Sequence, residues 1–171
     1  MHLNIEIKAR CSNQDFIRNL LLDRQADFRG TDHQVDTYFQ VPKGRLKLRQ
    51  GSIENNLIHY DRPDQAGPKA SEVHLYACQD GEALKATLAA ALNIKVVVDK
   101  KREIYFIENV KFHLDQVEEL GTFVEIEAID SDGSIGRDKL KEQCDYYLEL
   151  FKIQEEDLLQ NSYSDMLLEL H

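Results

Sequence analysis

Charged side chains recur two residues apart on segment after segment of this chain, each time with apolar residues between them. NIEIKAR (4–10) sets Asn4, Glu6, Lys8 and Arg10 against Ile5, Ile7 and Ala9. GRLKLRQ (44–50) sets Arg45, Lys47 and Arg49 against Leu46 and Leu48, FVEIEAI (123–129) sets Glu125 and Glu127 against Val124 and Ile126, and DKKRE adds Lys100 and Arg102. Only extended backbone puts residues i and i+2 on one face, so such a chain folds into sheet with one apolar and one charged side. Like charges roughly 6.6 Å apart repel by about 2 to 3 kcal/mol at an effective dielectric of 20, but by under ~1 kcal/mol in water. For any one strand a solvated sheet face is therefore a sufficient account. The set points further, because carboxylate pairs and cation pairs fall on separate strands while the apolar faces need helices as cover. A barrel with helices outside would turn the charged faces into its lumen, where cations attract a polyanion and carboxylates hold a divalent metal.

Extended candidates are residues 3–10, 34–41, 44–50, 56–62, 71–78, 94–107, 110–117 and 121–130, separated by turn-like PKG, GSIENN, PDQAGP and ENV. Eight strands suit barrel closure. Three stretches have helical spacing instead. SNQDFIRNLLLDR begins with a capping Ser12 and aligns Phe16, Ile17, Leu20 and Leu21. DGEALKATLAAAL starts after Asp80 with Leu84, Leu88 and Leu92, and residues 136–151 align Leu140, Cys144, Tyr147, Leu148 and Phe151. All three are expected to face a core. The fold class is α+β, a closed eight-stranded antiparallel tunnel with helices outside, and no linker or repeat divides residues 1–171, which read as one domain.

A net charge of -10 argues against non-specific contact with nucleic acid or an anionic membrane. An anionic ligand must then meet a local basic site. No apolar run is long enough to span a membrane, no signal peptide opens the chain, and no protein partner is evident, so a cytoplasmic location is expected. Cys11, Cys78 and Cys144 are too few and too scattered for a disulfide frame or zinc site and are expected to pack as thiols.

These residues resemble the CYTH superfamily, also called triphosphate tunnel metalloenzymes, which includes class IV adenylyl cyclases and thiamine triphosphatases. Its N-terminal Glu-x-Glu-x-Lys is matched by Asn4, Glu6 and Lys8, with the first glutamate replaced. QVDTYF (34–39), LKLRQ (46–50), YDRPD (60–64), PKAS (68–71), KKREIY (100–105), HLDQVEELGTFVEIE (113–127) and SYSDMLLE (162–169) follow in the family's order, so the resemblance spans nearly the whole chain.

The resemblance implies a tunnel that takes a small-molecule triphosphate together with Mg2+ or Mn2+. Glu6, Glu125 and Glu127 would ligate the metal with Asp115 as a fourth ligand, since hard cations prefer carboxylate oxygen. Lys8, Lys47, Arg49, Arg62, Lys69, Lys100 and Arg102 would hold phosphate oxygens, with Lys8 also the catalytic candidate. Tyr38, Tyr60 and Tyr105 are candidate lumen residues. Arg10 and Arg45 read as solvated, Glu72 as a strand-edge acid, and Tyr163 and Asp165 as anchors of a final helix. His59, His74 and His113 receive no role. Three functions fit: a triphosphate phosphohydrolase, a cyclase making cyclic AMP and pyrophosphate from ATP, or a non-catalytic binding tunnel. The phosphohydrolase is favoured because no base-reading motif is present. Asparagine at position 4 lacks the charge that offsets a metal's dehydration, which weakens one metal site.

Overall fold

The computed structural model describes residues 2–171. Its strands are β1 (His2–Arg10), β2 (Asp27–Phe39), β3 (Arg45–Gln50), β4 (Asn55–Asp61), β5 (Lys69–Ala77), β6 (Ile94–Ile107), β7 (Val110–Val117) and β8 (Gly121–Asp130). They close into an antiparallel barrel in the order β1-β5-β4-β3-β2-β6-β7-β8, with β8 pairing back on β1. The helices are α1 (Gln14–Asp23), α2 (Gly81–Leu92), α3 (Arg137–Leu150), a 3-10 turn at Glu155–Asp157 and α4 (Tyr163–Leu170). Strands β6, β7 and β8 match their expected bounds. β2 differs, because residues 27–33 look polar and contain Gly30, yet they pair along β6 through a bulge at Phe28/Gly30 where Gly30 takes a φ of +117°.

Period-two alternation is obeyed on both sides of the barrel wall. Outward-facing Ile5, Ile7 and Ala9 of β1, Val110, Phe112 and Leu114 of β7, and Val124, Ile126 and Ala128 of β8 form one core with Ile17 and Leu21 of α1 and Leu140 and Cys144 of α3. Phe112 is fully buried edge-on to Tyr147 and Phe151, with ring centroids 4.7 and 5.6 Å away, and burying a side chain of this kind contributes about 1.5 to 3 kcal/mol. α2 departs from expectation. It packs on β2 and β3, but none of its own residues is buried and Leu84, Leu88 and Leu92 stay half-exposed. The cap of α1 is Asn13, whose side chain accepts from the Phe16 amide, rather than Ser12. Cys144 is a core residue and Cys11 packs, partly buried, against the same core, whereas Cys78 sits half-exposed just past β5.

A second apolar cluster fills one end of the barrel from within. Tyr38, Tyr60, Val98, Val117 and Phe123 meet Tyr163 and Leu167 of α4 there. α4 is held in place by a capping box between Ser162 and Asp165, and by Arg45, whose Nη2 lies 2.6 Å from Asp165 Oδ2. Arg45 is thus a tether for the final helix and not a solvated charge. Asp165 is the anchor expected of it.

Candidate functional site in the barrel lumen

The remaining lumen is a cavity of about 220 Å³ lined by the inward faces of most strands and by Tyr163. Lys8, Lys47, Arg49, Arg62, Lys100, Arg102, Glu125 and Glu127 all reach it, together with Asn4, Tyr38 and Tyr60. The register explains the convergence: Lys8 lies opposite Glu125 and Glu6 opposite Glu127 across β1/β8, while Arg102 lies opposite Asp115 across β6/β7. Tyr105 does not reach it and packs in the outer core.

Each tunnel cation meets an internal carboxylate. Arg49 forks Asp36 with two bonds of 2.9 Å, Lys100 Nζ lies 2.7 Å from Asp36 Oδ2, and Lys47 approaches the same oxygen at 3.4 Å. Burial alone would raise the Asp36 pKa, but the charges of Arg49, Lys100 and Lys47 outweigh it and hold the group well below the usual carboxylate range. Arg102 forks Asp115 at 2.8 Å on each oxygen, and Tyr163 donates to Asp115 Oδ2 at 2.7 Å. Glu125 faces Lys8 Nζ at 3.3 Å, Arg102 Nη2 at 3.4 Å and His113 Nδ1 at 3.1 Å. It too stays well below its ordinary pKa, because Lys8, Arg102 and His113 overcome the cost of burial. Lys8 also sits 3.7 Å over the Tyr163 ring, so Tyr163 is part of the site wall as well as an anchor.

Other predicted residues are placed differently. Glu6 pairs with Arg62, and Lys69 is buried with its ammonium on the Gln160 carbonyl just before α4. Burial, with repulsion from Arg62 and Lys8, pushes the Lys69 pKa down to about 8. Asp115 is fully buried behind Arg102.

The donor set fits a divalent ion. His113, Asp115 and Glu125 each offer a ligand atom within 4.8 Å of one another. Asn4 Nδ2 donates to Glu127, which leaves Asn4 Oδ1 buried without a partner, and His113 Nε2 is buried and unpartnered as well. Buried polar atoms without partners cost about 1 to 3 kcal/mol each, and a cation would satisfy them.

Several site residues carried no sequence assignment. Asp36 has no charged neighbour two residues away on its own strand, so its role depends on β3 and β6 register. Glu54 pairs with Lys111 at the tunnel wall and sits in a loop that is disguised as a plain turn. Asp32 accepts the amides of Ser52, Ile53 and Glu54 and thereby sets that loop. The loop hugs Asp32 so closely that a Cβ on Gly51 would stand 2.6 Å from its carboxylate. One signal did exist: Lys111, His113 and Asp115 repeat the two-residue charge spacing seen elsewhere.

Comparison with known proteins agrees with this architecture. The chain resembles the PH1012 protein from Pyrococcus horikoshii OT3, with 26% identity and a TM-score of 0.77 over 96% of this chain and 98% of that one. A candidate adenylate cyclase from Vibrio parahaemolyticus superposes with a TM-score of 0.79 at 17% identity, over 96% and 97% of the two chains. HpAC1 from Hippeastrum, a candidate adenylyl cyclase described with a dominant triphosphatase activity, superposes at 0.63 with 15% identity, over 98% and 94%. No curated protein is close enough in sequence to match. The CYTH domain matches residues 2–163, and the chain belongs to the CYTH family.

Proposed function

We propose that this protein is a divalent-metal-dependent phosphohydrolase that draws an organic triphosphate into the barrel. The observation that carries this reading is the ring of lumen cations held on buried carboxylates inside a closed barrel. Eight basic residues, counting Lys69 and Lys111, stand in or beside the lumen with six carboxylates, counting Glu6, Asp36 and Glu54, which leaves an excess of two positive charges. A triphosphate carries roughly four negative charges near neutral pH, so one divalent ion would complete the balance.

Arg49 and Arg102 would present guanidinium forks to phosphate oxygens, with Arg62, Lys47, Lys69 and Lys100 as point charges around them. Lys8, beside Glu125, is the cation we assign to the transferred phosphoryl group. Asp36, Asp115 and Glu125 hold these cations in the lumen before the anion arrives, so their charge is already close by as charge develops on the phosphoryl group. Mg2+ or Mn2+, held by Glu125, Glu127 and Glu6 with Asp115 as the fourth ligand, would supply Lewis-acid neutralisation of the phosphoryl oxygens when bound. Glu6 and Asp115 would have to be released in part from Arg62 and Arg102, which are then free to turn toward phosphate. The apolar stretch of the cavity wall at Ile58, Val73, Leu75 and Ile129 favours a substrate with an organic group. The triphosphatase activity described for HpAC1 favours hydrolysis over cyclisation.

The test is incubation with ATP, thiamine triphosphate and tripolyphosphate, each with Mg2+ or Mn2+, followed by product analysis. Orthophosphate release from an organic triphosphate is the expected result. Cyclic AMP with pyrophosphate would establish the cyclase instead, and unchanged substrates throughout would leave a binding tunnel.

A further inference from the structure

Among the described residues, His113 is the one imidazole in the cavity wall. It stands on β7 between Lys111 and Asp115 and opposite Glu125 on β8, and only 2% of its surface is exposed. Its Nδ1 lies 3.1 Å from Glu125 Oε2. A carboxylate only accepts, so Nδ1 carries the proton and Nε2 is left with a lone pair. That atom is buried and has no hydrogen-bond partner among the described residues. An imidazole oriented by a carboxylate on one nitrogen and bare on the other is the arrangement proteins use for metal-ligating histidines. Asn4 Oδ1, an amide oxygen with free lone pairs, is a second buried atom without a partner. Two neutral donors then stand among the acids. Neither adds charge to offset the dehydration of a hard ion such as Mg2+, and His113 Nε2 is a nitrogen where such an ion takes oxygen ligands, whereas an imidazole nitrogen favours first-row transition ions.

We propose that His113 ligates the tunnel's divalent cation through Nε2 and thereby selects a transition ion, Mn2+ or Co2+, over Mg2+. This rests on the metal-dependent reading above and names the ion that the same site takes.

The test uses the full chain with tripolyphosphate present. Pulsed electron paramagnetic resonance of bound Mn2+ should show coupling to an imidazole nitrogen. The coupling should vanish in His113→Asn, whose amide can still donate to Glu125, and in His113→Leu. Calorimetric titration should show the Co2+ to Mg2+ affinity ratio falling at least tenfold in His113→Asn. Folding of each variant is checked by its thermal transition, and His113→Asn decides the matter if the leucine variant does not fold. Mn2+ bound with an oxygen-only shell, or an unchanged affinity ratio, overturns the assignment to His113 and leaves the metal-dependent phosphohydrolase standing. No binding of any divalent ion to the wild-type protein overturns both.

Discussion

Asp36 holds three cations at once, and its removal tests whether the lumen network is a structural unit. In Asp36→Asn, Arg49, Lys100 and Lys47 lose their shared counter-charge in a buried setting. Breaking a buried ion pair from one side costs about 3 to 5 kcal/mol, so the urea midpoint should fall accordingly. Tripolyphosphate should then recover more stability in the variant than in the wild type, because it returns the missing negative charge; equal gains would contradict this. Lys69 gives a pH signature. Its folded pKa of about 8 lies below its ordinary value of 10.5. Between those values the unfolded chain binds more protons than the folded one, so stability rises with pH across that window and falls as pH drops through 8. Lys69→Met should flatten the slope between pH 8 and 10, as measured on the ligand-free protein. Parallel slopes would show that Lys69 keeps its ordinary pKa. Alternation told which side chains share a face, as with Glu125 and Glu127, but not which charges meet across strands. Asp36 and His113 received no role for that reason, since their partners lie 12 to 64 positions away.

Elements whose period was uninterrupted, such as β6, β7 and β8, could be bounded from sequence alone, whereas β2 could not, because a bulge at Gly30 shifts its phase. α2 shows a different failure. Its leucines recur at helical spacing, yet the helix lies on the outside of β2 and β3 with its apolar face half-open. Spacing reports a face but not the depth of what it covers. The β3–β4 loop shows how a strand residue disciplines a turn: Asp32 accepts three loop amides at 2.7 to 3.0 Å and also the Ser52 hydroxyl at 2.9 Å. That clamp carries Glu54 to its position between Arg49 and Lys111. Asp32→Ala should cost about 1 to 3 kcal/mol, the penalty of leaving buried donors unmade. Hydrogen exchange at the Ser52, Ile53 and Glu54 amides should accelerate by more than the loss in global stability explains. Uniform acceleration along β3 and β4 would mean the loop has no separate hold.

The molecule carries -10 overall while its lumen holds an excess of basic residues, so the ligand is expected to be anionic and to be bound from within rather than at the surface. Barrel closure makes this a property of the whole fold, because the cations that line the cavity stand on β1, β3, β6 and β7 or, for Arg62, just past β4, and are brought together only when β8 pairs with β1. A ligand that binds only the closed barrel must stabilise it by mass action, by about 2.7 kcal/mol when present at 100 times its Kd. For a chain of this size that corresponds to a rise in Tm of roughly 5 to 10 °C. Reversing Lys100 and Arg102 is too blunt a control, since both are pinned to buried acids and the variant would lose its fold for other reasons. Lys47 is better suited: it approaches Asp36 only at 3.4 Å and keeps 14% of its side chain exposed toward the cavity. Lys47→Gln should retain the ligand-free Tm within a few degrees and lose about half of the tripolyphosphate-induced rise, as read by thermal unfolding with and without the ligand. A full rise in that variant would place the anion outside the ring of cations, and an unshifted wild-type Tm at millimolar tripolyphosphate would remove the cationic tunnel as a binding site.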